Sequence, residues 1–251
     1  MLDEGIGLTT VLLPILILVA ACLYASVGHG GASGYLAAMA FLGMAPFEMK
    51  PAALSLNILV SAIGAYKFAR AGRFSWSLLW PLVVTSIPMA YLGGVMTLPS
   101  TYYKPVLGLV LIYAAIRFTK DNSFKDQALN KPDRMIVLLI GAVLGFLSGL
   151  VGVGGGIFLS PLLIFLRWEE PKNVSGVAAL FIFVNSMAGL SGFASSHVLA
   201  ITNTWPLWAL AAIVGGFIGA EYGSKRFGNK TIKRLLATVL LIAGLKMFLT
   251  V

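Results

Sequence analysis

Apolar stretches follow one another along nearly the whole chain, at 6–27, 33–45, 51–68, 77–97, 104–118, 135–151, 157–167, 174–193, 205–220 and 232–249. Only short loops separate most of them. Of the 251 residues, 59% are hydrophobic and 11% charged; a soluble domain carries roughly 25% charged residues. Nine Asp and Glu with eighteen Lys and Arg cannot coat a water-exposed surface of this size. The sequence predicts an all-α polytopic membrane protein. At about 20 apolar residues per span, roughly six to eight membrane segments fit and no separate soluble domain does.

The net charge of +9 is a weak guide to partners, because Lys and Arg gather on the cytoplasmic side of membrane proteins through insertion physics. No clustered basic reading helix or stacking aromatics point to nucleic acid. Cys22 stands alone inside an apolar run, so neither a disulfide framework nor a thiolate metal site is expected. His29 and His197 share no ligand spacing, and no metal or other cofactor is expected. The start, Met1-Leu2-Asp3-Glu4, lacks the positive region of a cleavable signal peptide. The first apolar stretch is expected to remain.

The polar linker 119–134 divides the chain into similar halves. The glycine clusters Val27-Gly28-His29-Gly30-Gly31 and Val151-Gly152-Val153-Gly154-Gly155-Gly156 superpose at an offset of 124. At 125, Ser61 meets Ser186, Gly64 meets Gly189, Phe68 meets Phe193, Trp80-Pro81 meets Trp205-Pro206, and Gly94 meets Gly219. At 129, Lys104, Leu107, Val110 and Ala114 meet Lys233, Leu236, Val239 and Ala243. A drift this small argues for a duplicated unit.

Charge decides how the halves thread. If each glycine-interrupted stretch crosses once, Lys and Arg fall nine to a side, with no bias. If each dips to mid-membrane and leaves where it entered, one face holds Lys67, Arg70, Arg73, Arg117, Lys120, Lys125, Lys131, Arg134, Arg167, Lys172, Lys225, Arg226, Lys230, Lys233 and Arg234. The other holds Lys50, Lys104 and Lys246. Fifteen against three fits the positive-inside bias. The first repeat is then 1–118, with a re-entrant hairpin at 6–45 and spans 51–68, 77–97 and 104–118. The second is 135–251, with a hairpin at 135–167 and spans 174–193, 205–220 and 232–249. Three spans per half invert the halves relative to each other, an architecture common among transporters, and put both termini outside the cytoplasm of a cytoplasmic (inner) membrane.

Non-helical backbone at membrane depth must be buried in protein or line a wet cavity. The half-helix after each glycine cluster starts at the glycines, so its unpaired N–H groups and positive dipole end point to mid-membrane. Pro161 falls about one turn into the second half-helix. Two such starts meeting from opposite faces make an anion site without a fixed cation, one that binds an oxyanion weakly enough to release it. The candidate binding residues are Gly28, His29, Gly30, Gly31, Ser33, Asn57, Ser61, Gly152, Gly154, Gly155, Gly156, Asn185 and Ser186. Ser61 and Ser186 are equivalent by the repeat. Against this stands a purely structural role, in which the glycines permit close helix packing and each Ser or Asn bonds a neighbouring helix.

The run at 149–163, Gly-Leu-Val-Gly-Val-Gly-Gly-Gly-Ile-Phe-Leu-Ser-Pro-Leu-Leu, resembles the glycine signature of the sulfite exporter TauE/SafE family of membrane permeases. The first half carries a weaker copy, followed by Ala52-Ala53-Leu54 and Gly64…Arg70-Ala71-Gly72. The resemblance covers essentially the whole chain. It implies transport of a small sulfur-containing anion of the sulfite or organosulfonate class. In the first half His29 interrupts the glycine run, Ala32 replaces a glycine, and Ala37 stands where the second copy has Pro161, which leaves the first half-helix less clearly defined. The imidazole is a candidate for donating to the anion or carrying a coupled proton, since its charge is adjustable near neutral pH.

Two other functions compete. Opposed helix ends would also serve a passive anion channel. Gly31-Ala32-Ser33-Gly34 matches the GxSG pattern of rhomboid-type intramembrane proteases, but the only other histidine, His197, falls in a short outer loop, far from a base's place. An enzyme is not expected. Glu221 is read as pairing with Lys225, and Lys67, Arg70 and Arg73 as topology anchors. Trp76, Trp80, Trp205 and Trp208 fall near segment ends and suit the membrane interface. Gly93-Gly94 and Gly215-Gly216-x-x-Gly219 are small-residue faces for packing the halves or for a homodimer.

Overall fold

The computed structural model describes residues 2–96, 112–113, 115–116, 129–199 and 202–249. The described residues are helical apart from short connections, with no strand among them. The order is α1 (Leu2–Ala25), α2 (Ala32–Phe41), α3 (Pro46–Arg70), α4 (Trp76–Val95), α5 (Arg134–Val151), α6 (Gly156–Phe165), α7 (Pro171–Ser196), α8 (Trp205–Glu221) and α9 (Asn229–Leu249). A π-helical turn, Tyr222–Arg226, extends α8. The span expected at 104–118 lies outside the described residues except for four of its positions, and so does most of the 119–134 linker.

Among the described residues five helical stretches are long and apolar enough to cross a membrane: Phe47–Arg70, Trp76–Val95, Arg134–Val151, Pro171–Ser196 and Trp205–Arg226. Arg134–Val151 is among them, although the sequence reading assigns it to a hairpin and not to a span. The two helices that follow the glycine clusters are both ten residues long. At 1.5 Å per residue that is about 15 Å, half a bilayer core. The first half-helix is as well formed as the second, despite Ala37 replacing the proline.

Backbone contact at glycines fixes the helix directions. A Cβ at Gly141, Gly145 or Gly149 of α5 would strike the carbonyls of Leu82, Ser86 and Ala90 on α4. The numbers rise together, so α4 and α5 run parallel. Gly215, Gly219 and Gly223 meet the carbonyls of Leu18, Cys22 and Ser26 in the same way, and α1 runs parallel to α8 and its extension. Small residues every fourth position remove the side-chain layer on one helix face, and backbones close to van der Waals contact. In α7, Ala179 touches Gly64 while Gly189 lies near Leu54, so α3 and α7 cross antiparallel.

These pairings match across the halves. α1 packs on α8 as α5 packs on α4, and α3 packs on α8 as α7 packs on α4. The helices α2 and α6 each pack on the long helix that follows them, α3 and α7. α2 leads through four residues back to the start of α3, and Asn130, just ahead of α5, bonds the carbonyls of Leu166 and Arg167 at the end of α6. Each half therefore opens with two helices joined at a glycine turn.

At one end α3 is fastened to α8. The Glu221 carboxylate takes Lys67 and Lys225 at 2.5 Å each, and the Lys67 ammonium stands 3.7 Å over the Phe217 ring. The expected Glu221–Lys225 pair is present, and Lys67 is more than an anchor. Trp76 and Trp80 are exposed, whereas Trp208 is buried and the Trp205 indole donates to Ser55 Oγ.

Candidate functional site

The two glycine tips lie side by side. Gly28, Gly31, Gly152, Gly154 and Gly155 have φ between 76° and 96°, a region costly for any residue with a Cβ. Space is as strict as conformation. At Gly28 a Cβ would strike the Ser175 backbone; at Gly154 it would meet Asn57 Nδ2, Ile182 and Ser186 Oγ.

Asn57 ties the tips together. Its Oδ1 accepts from the Ala32 amide at 3.2 Å, at the start of α2. Its Nδ2 donates to Ser186 Oγ at 2.9 Å and to the Val153 carbonyl at 3.4 Å, in the second tip. One amide side chain thus joins α3, α7 and both glycine turns, and its residue is wholly buried. The Tyr35 hydroxyl closes the first turn, donating to the Gly30 carbonyl at 2.6 Å. His29 is also buried; its Nε2 lies 2.8 Å from Ser160 Oγ in α6, and its Nδ1 makes no hydrogen bond.

Between the tips is a cavity lined by Tyr24, His29, Gly30, Gly31, Ala32, Ser33, Val153, Ile157 and Ile182. It has room for about one water molecule. The starts of α2 and α6 both reach it, and none of its lining side chains carries a fixed charge. The capping positions of both helices are glycines in the left-handed conformation, which bring no side chain of their own to the helix end. By contrast, Asp133 caps α5 through the amides of Met135 and Ile136. The Ala32 amide, first of α2, donates to Asn57 Oδ1, and Ser33 of α2 and Ile157 of α6 line the same small space. Hydroxyls and an imidazole beside two helix starts suit an acceptor such as an oxyanion.

Of the residues singled out from sequence, His29, Gly30, Gly31 and Ser33 line the cavity, and Asn57, Gly154 and Ser186 stand together beside it. Ser61 is turned back on its own helix, donating to the Asn57 carbonyl at 2.5 Å. Asn185 does the same toward Phe181 and leaves Oδ1 without a partner. Ser33 Oγ donates to Tyr24 Oη, whereas His197 stacks on Phe193 and bonds Ser196. The two members of the imagined protease pair are each engaged elsewhere. Sequence reasoning missed Tyr24, Tyr35, Ser160 and Lys50; the last lies against Gly152. The first two could have been found by spacing, since each falls within four residues of the first glycine cluster.

Among the described residues no three His, Cys, Asp or Glu side chains gather as a metal site would require.

Comparison with known proteins places the chain among membrane transporters. Residues 12–247 match the family described as sulfite exporter TauE/SafE. The chain is 39% identical over 249 residues to the probable membrane transporter protein y4hK of Sinorhizobium fredii, covering 97% of this chain and 98% of that one. It is 27% identical to the probable membrane transporter protein YjnA of Bacillus subtilis, over 88% of this chain and 92% of the relative. A probable membrane transporter protein of Methanocaldococcus jannaschii is 26% identical over 75% and 74% of the two chains. No solved structure matches significantly.

Proposed function

The chain belongs to the sulfite exporter TauE/SafE family of membrane transporters, and from that premise we propose that it carries a small sulfur-containing oxyanion, sulfite or an organosulfonate, by alternating access. The observation that carries this reading is the cavity between the starts of α2 and α6. Tyr24, His29 and Ser33 line it beside two helix starts and bring no fixed charge, so an anion is held by neutral polar groups and the partial charges of two helix ends. His29 supplies either an N–H for the anion or the site of a coupled proton.

Two inverted repeats, each with a re-entrant hairpin, explain the crosswise pairing of helices. Gly28 rests on Ser175 and Gly152 on Lys50; the glycines are 124 apart and their partners 125. Contacts that repeat at nearly the same offset and cross between halves are what a two-fold relation within the membrane produces. The cavity holds about one water, so an oxyanion enters only as the tips part. That favours a carrier over an open pore. The membrane is the cytoplasmic one, with the basic face inside and the termini outside.

The test is a proteoliposome flux assay comparing sulfite, sulfate, thiosulfate, a short sulfonate and chloride. Saturable flux selective for one or more of the sulfur oxyanions is expected. Ohmic chloride currents, or no flux of any of the five, would overturn the proposal.

A further inference from the structure

The matching contacts of the two halves differ by one charge. Where Gly28 rests on Ser175, Gly152 rests on Lys50, whose Cγ stands 2.9 Å from the place a Cβ would take. The Lys50 ammonium is only loosely held. Its bonds to the carbonyls of Gly94 and Met96 are both 3.4 Å, at the far edge of hydrogen bonding. The Phe193 ring centroid is 5.4 Å away. Among the described residues no carboxylate pairs with it; Glu221 is taken by Lys67 and Lys225. Glu48, two residues earlier, lines a different cavity with Trp205 and Trp208.

Its place along α3 adds direction. Asn57 follows seven residues later, two turns along the same side and about 10 Å deeper. Lys50 touches the second glycine turn at Gly152, and Asn57 touches it at Val153 and Gly154. One helix side therefore presents a cation at the turn's outer edge and the central amide at its core. An ammonium that only capped the end of α4 would gain from a carboxylate or from shorter bonds. A loosely bonded one in a poorly solvated place attracts anions strongly.

We propose that Lys50 is an anion-recruiting residue on the sparsely charged face, taking the substrate oxyanion before it reaches the cavity between the glycine turns. The proposal rests on the anion-transport reading above and adds where the anion first binds.

Charge replacement tests it in reconstituted full-length protein. In a Cys22→Ser background, Lys50→Cys is alkylated with 2-bromoethylamine, which rebuilds a lysine-like side chain, with iodoacetamide (neutral) or with iodoacetate (negative). These thioethers resist sulfite. At low ionic strength Lys50→Cys should lower initial anion flux about tenfold, a deficit that fades in high salt. Aminoethylation should restore most of the flux, and the neutral and negative adducts should not. Native-like flux in Lys50→Cys at low salt, or equal rescue by the neutral adduct, would overturn the proposal. If the parent protein moves no anion, the transport reading itself fails; a working parent indifferent to charge at position 50 removes only Lys50.

Discussion

Asn57 concentrates more of the site's organisation than any other side chain. It gives up four bonds to water when buried, and recovers three from Ala32, Val153 and Ser186. Asn57→Ala would leave those groups unpaired at a cost of about 1–3 kcal/mol each. We expect a lower unfolding temperature in detergent together with loss of flux; native stability and flux would show that the bridge is dispensable. Glycine positions offer a sharper contrast. Gly43 and Gly72 have positive φ but open space where a Cβ would go, so Gly72→Ala should cost only about 1 kcal/mol. Gly154→Ala, with Asn57, Ile182 and Ser186 against it, should yield little monodisperse protein. His29→Gln keeps a polar group of similar reach but loses the ring that meets Ser160. Flux through it should be slower; an unchanged rate would remove His29 from the mechanism.

Among the elements, the paired half-helices were the most legible in sequence. The glycine clusters end α1 and α5, and the ten-residue helices after them are the stretches too short to span. Periodicity could say little about which helices touch. Helices apolar on most sides have no single buried stripe, and their neighbours are chosen by where backbones can approach. Glycines spaced by four on α5 and on α8 with its extension make that choice. The side-chain partners of the site were illegible for the same reason: Asn57 to Ser186 and His29 to Ser160 span 129 and 131 residues. Ser61, marked by the repeat, turns back on its own helix. The clasp of Lys67 with Glu221 ties α3 to α8 at the basic face. Glu221→Gln should loosen it, and a cysteine replacing buried Ser224 should then react faster with a membrane-impermeant maleimide. An unchanged labelling rate would show that the ion pair holds nothing shut.

For the whole molecule, composition was enough to read a polytopic helical protein, and the charge count was enough to prefer hairpins over eight plain crossings. In the fold α1 runs with α8, α4 with α5, and α3 against α7. The central claim is narrower, that an oxyanion sits between the starts of α2 and α6. Selenite, a heavier relative of sulfite, tests it most directly by anomalous scattering from crystals of the protein soaked in it. A selenium peak is expected in the cavity lined by His29, Ser33 and Ile157, beside Asn57. A selenite-inhibited transporter whose only selenium peak lies away from both glycine turns would contradict it.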